Sequence, residues 1–478
     1  MISSIKKILS RYSIRYPRSL IYMLQASEYD VSDFLDWYKK TDNFNNIEKR
    51  KKLVKTSKSL GLLLIAWTML IFIYAIGLYF LITTKGADRY LAIFIIIFAP
   101  YILPYLLSVK LFFLRLLVQK PVEYFLLKNT KKKLEKHKGI KIAVVGSYGK
   151  TTMREVLKTV LSAGKKVSAP PHSYNTPLGI NKFVKNLKND EDVLIFEFGE
   201  YYPGDIEKLS NIVKPNIGII TGINEAHLKK FKNIETTIST IFEISDFVEA
   251  KNLYINGESK LAKENAPKES TIYSKEGVGN WKLEESETNL SGLRFTAKNS
   301  NKEIRVSSKL IGLHQLGPLG LSIYLADRLG LSKDEIKKGI GNTKPFEHRL
   351  QPKDMGNITL IDDSYNGNPD GVKVAIEFLS SLKGKRRFYL TPGLVEMGPK
   401  KEEVHIEIGK QLAQSKIEKV ILIKNSATPY IEEGLKDNNF KGDLIWFDSG
   451  PKAHNSIDAL TLEGDVVLIQ NDWPDQYN

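Results

Sequence analysis

The sequence predicts an α/β protein with a phosphate-binding central domain and a Rossmann-like C-terminal domain, both behind a two-helix apolar hairpin. Three observations predict it. An apolar run at 141–145 passes straight into Gly146-Ser147-Tyr148-Gly149-Lys150-Thr151-Thr152, and a helical pattern follows over 153–161. Short apolar runs at 358–361, 388–390, 420–423, 444–446 and 466–469 are separated by helical or loop stretches, the signature of a parallel sheet covered by helices. Residues 59–84 and 90–109 form two apolar stretches without a single charge.

The hairpin explains an otherwise misleading charge. The chain of 478 residues carries a net +16, which alone suggests a nucleic-acid binder. Residues 1–138 hold 24 Lys and Arg against 9 Asp and Glu, whereas the remaining residues hold 46 against 45. The basicity therefore flanks the apolar stretches, and no nucleic-acid partner is expected. The chain has no cysteine, which excludes disulfides, thiolate metal sites and cysteine nucleophiles.

A membrane-spanning helix needs about 20 apolar residues, and both stretches supply them. Only Lys85-Gly86-Ala87-Asp88-Arg89 links them, so the two helices must be antiparallel. Basic residues precede the first (Lys51, Lys52, Lys55, Lys58) and follow the second (Lys110, Arg115, Lys120, Lys128, Lys131). The positive-inside rule then places both outer ends, and the catalytic domains, in the cytoplasm. Pro100 and Pro104 predict a kink or an early end in the second span. The resulting organisation is a basic N-terminal segment (1–58), the hairpin (59–109), a basic interfacial linker (110–138), a phosphate-binding central domain (139–343) and a C-terminal domain (344–478). Residues 1–45 read as short helices on the membrane surface. Removing residues 1–138 is expected to leave a soluble protein that still binds its phosphate ligand.

The loop at 146–152 carries the first chemistry. Glycines let backbone N–H groups approach phosphates, the following helix N-terminus favours negative charge, Lys150 reaches the terminal phosphates, and a threonine hydroxyl can ligate Mg²⁺. The next apolar run, 193–196, ends in Glu197, a carboxylate at the C-terminal end of a strand, where a metal ligand would sit. A third run, 217–221, leads to Asn224-Glu225-Ala226-His227.

Taken together, Gly146–Thr152, Glu197-Phe198-Gly199, Asn224–Leu228, Asn256 in Tyr-Ile-Asn-Gly-Glu, Gly312-Leu313-His314, His348-Arg349-Leu350 and Asp362–Pro369 resemble the Mur ligase family. These are ATP-dependent amide-forming enzymes of peptidoglycan synthesis. The last block is similar to the branch that adds D-alanyl-D-alanine. The resemblance implies that Gly146, Gly149, Lys150 and Thr151 hold the ATP phosphates. It puts Mg²⁺ on Thr151 or Thr152 and on Glu197, with His227 helping to hold a second ion. It sets Asn256 toward the adenine and has Arg349 and Asp363 close over the nucleotide from the C-terminal domain. Lys150, Glu197 and His227 are the expected catalytic residues. The implied substrates are ATP, a cell-wall precursor carboxylate and an amino acid or dipeptide.

The sequence also departs from the family pattern. The usual carbamylated lysine falls on Ile241, and the usual His-Asn-x-x-Asn reads His314-Gln315-Leu316-Gly317-Pro318. The hairpin stands where the family has its UDP-sugar-binding domain, which suggests an acceptor already at the membrane, a lipid-linked one among them. A catalytically silent scaffold that keeps the fold is the alternative reading.

Overall fold

The structure, a computed structural model, describes residues 8–48, 52–171, 174–224, 231, 233–365, 367–395 and 397–471. The chain divides into two compact units, one up to Tyr124 and one from Phe125 onward.

Among the described residues, the first unit includes the helices α1 (Tyr16–Ala26), α2 (Val31–Lys40), α3 (Ser57–Thr83) and α4 (Asp88–Leu114). Asp30 starts α2 by accepting from the Asp33 amide, and a reciprocal Thr56–Ser59 capping box starts α3. α3 and α4 have 27 residues each, about 40 Å of helix. Both are long and apolar enough to cross a membrane by length and composition. The early stop expected at the prolines does not occur, since α4 runs through both to Leu114. The reason is local. Pro104 lacks the N–H that would bond the Pro100 carbonyl, and the Tyr16 hydroxyl donates to that carbonyl instead, at 2.7 Å. Tyr16, Leu20, Leu24, Phe34 and Phe44 share one core with Ala66, Ala99, Leu103 and Leu107, so α1 and α2 cap one half of the hairpin.

The second unit opens ahead of the expected boundary at 139. Helix α5 (Lys120–Lys136) enters it from Phe125, and Leu134 is fully buried in a core with Ile180, Phe183 and Val184 of α7 (Pro177–Lys185). Lys133 Nζ donates to the carbonyls of Lys185, the last residue of α7, and of Leu187 just beyond it, and Asn181 Nδ2 donates to Thr130 Oγ1 at 2.6 Å. His137 pairs with Glu191 at 3.0 Å. This part of the linker belongs to the folded catalytic unit.

Among the described residues the central domain is one ten-stranded sheet. β1 (Ile140–Val145) lies between β3 (Val193–Glu197) and β4 (Ile217–Ile220), all parallel. β2 (Val167–Ser168) flanks β3, and β5 (Leu253–Asn256) and β6 (Thr271–Ser274) continue the parallel set beyond β4. β7 (Gly277–Val278), β8 (Trp281–Asn289), β9 (Gly292–Lys298) and β10 (Glu303–Ser308) extend it antiparallel. Strands buried on both faces read as continuous apolar runs, and β1, β3 and β4 are such strands.

The C-terminal domain is a six-stranded sheet ordered β11-β12-β16-β13-β14-β15. β12 (Thr359–Asp363), β13 (Arg387–Thr391), β14 (Lys419–Ile423), β15 (Asp443–Phe447) and β16 (Val466–Gln470) are parallel, and β11 (Gln351–Asp354) is an antiparallel edge. All five apolar runs expected as strands are strands. Ligands of open α/β sheets bind at the C-terminal ends of the strands, which here means the ends of β1, β3, β4 and β12.

Candidate active site

The loop after β1 turns into α6 (Lys150–Leu161) through Gly149, whose φ of +78° is left-handed and suits glycine. A side chain at Gly146 would collide with Thr221 Oγ1 and the Gly222 carbonyl, because the loop is clasped against the end of β4. Ser147 N donates to Gly222 O at 2.7 Å, and Thr221 Oγ1 donates to the Val145 and Tyr148 carbonyls. The loop backbone is thus fixed before any phosphate arrives.

Lys150 folds back onto this loop. Its Nζ donates to the Gly146 carbonyl and to Glu200 Oε1, the latter at 2.9 Å. Thr151 Oγ1 donates to both oxygens of Glu197, at 3.0 and 3.2 Å. Arg154, one turn along α6 and buried, pairs with Glu197 at 3.1 Å. Thr152 lies half-buried in the same first turn. The Thr151 hydroxyl and the Glu197 carboxylate form an all-oxygen donor set, which fits a hard cation such as Mg²⁺.

The C-terminal domain contributes the other wall. Arg349 follows His348, which has a left-handed φ of +59°. Its guanidinium stacks on Tyr365 at 4.8 Å. Burial pulls the Arg349 pKa down, against the nearby charges of Glu197 and Asp363 and the Tyr365 ring; it remains a cation. Asp363, at the end of β12, accepts from Gln470 Nε2 at 2.7 Å and the Leu350 amide at 3.0 Å. Burial pushes its carboxyl up to about 6, against the pull of those donors and Arg349. Its neighbour Asp362 goes the other way. Burial opposes ionisation, but Lys353, Ser364 and His348 donate to it and hold it down to about 2. Asp370, in the first turn of α10 (Pro369–Ser381), lies near Tyr148 of the phosphate loop and bonds Asn224. Burial raises its pKa. The two domains therefore meet around the phosphate loop.

The structure brings together Gly146, Gly149, Lys150, Thr151, Glu197, Arg349 and Asp363. Asn256, at the end of β5, donates to the Thr221 carbonyl at 2.6 Å and accepts from the Glu258 amide, so it braces the β4 end. His227 lies outside the described residues. Ile241, in α9 (Ile234–Phe242), is fully buried in a core with Ile220 and Ile244. The neighbouring Glu243 accepts from the Gly204 and Glu207 amides at the start of α8 (Asp205–Val213). Gln315 is buried beside His314, which burial keeps neutral by lowering its pKa to about 4. Sequence reasoning missed Glu200 and Arg154. Their signals were a second carboxylate three positions after Glu197 and a cation one helical turn after Lys150.

Comparison with known proteins decides the relationship. Residues 144–325 match the Mur ligase middle domain, and residues 348–470 match the Mur ligase glutamate ligase domain. The chain belongs to the Mur ligase family. As such it is an ATP-dependent, amide-bond-forming enzyme. This Mur ligase is 24% identical over 350 residues to the UDP-N-acetylmuramoyl-tripeptide–D-alanyl-D-alanine ligase of Bacillus subtilis (strain 168), covering 68% of this chain and 75% of the relative. It is 26% identical over 346 residues to the ligase of the same name from Rickettsia prowazekii (strain Madrid E), covering 71% and 76%. Its fold is similar to that of MurF from Acinetobacter baumannii, with a TM-score of 0.65, 22% identity and coverage of 73% and 77%. It is equally similar to MurF ligase from Thermotoga maritima in complex with ADP, with a TM-score of 0.65, 22% identity and coverage of 73% and 80%.

Proposed function

We propose that this Mur ligase is anchored in the membrane by its apolar hairpin, with its catalytic unit in the cytoplasm. There it joins an amino acid or a D-alanyl-D-alanine-like dipeptide to the carboxylate of a cell-wall precursor. The observation that carries this reading is the convergence of Lys150, Thr151 and Glu197 from one domain with Arg349 and Asp363 from the other.

The chemistry follows from charge. A substrate carboxylate attacks the γ-phosphorus of ATP, the bond to ADP breaks, and an acyl phosphate forms. The amine then attacks the acyl carbon, loses a proton, and phosphate leaves with the C–O electron pair. Negative charge builds on the phosphoryl oxygens in the first step and on the acyl oxygens in the second. Lys150, released from Glu200, supplies one cation at the phosphates, and the loop amides after Gly146 supply a row of donors. Arg349 adds a second cation from the opposite wall. Thr151 and Glu197 would hold Mg²⁺, whose role is to neutralise phosphate charge. Arg154 holds the Glu197 carboxylate in place. Asp363 fixes the turn that carries Arg349 by gripping the Leu350 amide. Closure of the two domains aligns carboxylate, phosphate and amine.

The hairpin supports an acceptor that is already at the membrane, a lipid-linked precursor being the member of that class with the right chemistry. The decisive experiment is phosphate release by the full chain in vesicles, with and without a precursor carboxylate and an added amine. Release that needs both supports ligation.

One observation favours a second reading. Ile241 is core, so the family's lysine-dependent second metal site is absent at that position. A silent scaffold that binds ATP without turnover would tolerate this. It predicts nucleotide binding with no phosphate release under any amine.

A further inference from the structure

We propose that residues 8–14 are a third membrane element, a wedge that enters the cytoplasmic leaflet beside the hairpin and contacts acyl chains directly. The proposal rests on the anchoring reading above and goes beyond it.

Depth carries the argument. The polar turn at Thr84, Lys85, Asp88 and Arg89 marks the far end of the hairpin. The Tyr12 hydroxyl donates to the Ile97 carbonyl at 2.6 Å, and the Tyr16 hydroxyl donates to the Pro100 carbonyl at 2.7 Å. Ile97 is about nine residues from the start of α4, or about 14 Å along its axis. The hydrocarbon core is about 30 Å thick, so Tyr12 reaches toward its middle. The deeper end of the cap is this segment. α2 meets α4 nearer the cytoplasmic end, where Tyr38 packs edge-on against Tyr105.

The surface agrees. At the level of Ile97, the hairpin still exposes apolar side chains on its uncovered faces, among them Ile71 at 60%, Phe72 at 66% and Phe98 at 39%. A hairpin that spans a bilayer puts those side chains in lipid. The cap segment at the same level lies at the same depth, and it too faces outward with apolar groups: Ile8, Leu9, Tyr12 and Ile14, the last 82% exposed. In water these would be an unexplained apolar ridge continuous with the hairpin.

Two of its polar side chains are held by protein groups. The Arg11 guanidinium lies between the rings of Phe44 and Tyr101, at 5.1 and 5.0 Å, and donates to the Thr41 carbonyl. Ser10 is buried, and its hydroxyl accepts from the Phe44 amide.

The absence of cysteine makes the test direct. Full-length Ile14→Cys and Leu9→Cys proteins, each labelled with an environment-sensitive fluorophore, are placed in phosphatidylcholine–phosphatidylglycerol vesicles containing nitroxide-labelled acyl chains. Phe72→Cys on the exposed hairpin and Leu462→Cys on the catalytic unit are the references. Fluorescence lost at Ile14 and Leu9 as at Phe72, but kept at Leu462, is the expected result. Loss at Phe72 alone, with the Ile14 and Leu9 probes open to aqueous iodide, overturns the wedge and leaves the anchor standing. Ile14 and Leu9 probes shielded from both lipid nitroxide and iodide mean that protein covers the ridge, a second copy or another chain, and also overturn it. No loss at Phe72 sinks the anchoring reading and the wedge together.

Discussion

Lys150 and Glu200 form an ion pair at the phosphate loop, Nζ to Oε1 at 2.9 Å, with the Glu200 side chain only 3% exposed. The lysine that should meet the terminal phosphates is held by a carboxylate and by the Gly146 carbonyl of its own loop. Nucleotide binding must therefore exchange Glu200 for phosphate. Glu200→Gln should tighten nucleotide binding severalfold, because a competitor and a repelling charge are both removed. It should also lower the stability of the nucleotide-free protein, by no more than about 3 kcal/mol, because Lys150 loses its counterion. Calorimetric titration with ADP and thermal melts of the free protein read the two effects. Weaker nucleotide binding in Glu200→Gln would contradict the exchange.

Lys150→Ala should abolish turnover and weaken nucleotide binding while leaving the fold intact, since the side chain lies on a loop whose backbone Thr221 already clasps. Glu197→Gln should cost turnover about a hundredfold or more, the scale of losing one electrostatic support of a phosphoryl transition state. It should cost more than His227→Ala, because the second metal's lysine position is Ile241. Equal losses in the two variants, measured at saturating Mg²⁺, would show a working second site.

Asp363 gives stability a pH signature. Its folded carboxyl titrates near 6, above the ordinary value of about 4. Between those values the folded protein binds the extra proton, so this group's contribution falls as pH rises from about 4 to about 6. The loss should be of order 1–2 kcal/mol, below the full value of a two-unit shift because the carboxyl is partly open to solvent. Asp362, held low by Lys353, Ser364 and His348, contributes above pH 4 and loses that contribution as pH falls toward 2. Thermal melts of Asp363→Asn against the parent should show the pH 4–6 decline flattened. An unchanged slope would mean the group is not perturbed.

Truncation separates the units. Removal of residues 1–138 discards Leu134, Thr130, Lys133 and His137, all of which the catalytic unit uses. It should give a poorly folding protein. Removal of residues 1–119 keeps α5 and should give a protein that binds ATP. Equal solubility and melting of the two would show that α5 contributes nothing to the core.

Much of this was legible in the sequence, for physical reasons that differ by element. β1, β3 and the C-terminal strands announce themselves because strands buried on both faces need unbroken apolar runs. The phosphate loop announces itself because its glycines and Lys150 are tied to one backbone shape. The continuity of α4 through Pro100 and Pro104 was not legible, because the compensating donor is Tyr16, some 84 residues away in the chain. The docking of α5 was hidden for a similar reason: a Lys-rich stretch reads as solvated until Leu134 is seen buried on α7. The role of Glu200 depends on where Lys150 points, which no spacing reveals. Asn256 matched a motif whose side chain braces Thr221 in the structure.

Amide formation at a membrane is expected from a single active site built from both domains. The most direct measurement is phosphate release by the full chain in vesicles supplied with ATP, a membrane-bound or UDP-linked muramoyl-peptide carboxylate, and an amino acid or D-alanyl-D-alanine, with product masses read in parallel. The expected result is release that requires both carboxylate and amine, is lost in Lys150→Ala, and accompanies a product heavier than the precursor by the amine minus water. Phosphate release independent of the amine, or tight ATP binding with no release at all, would contradict it.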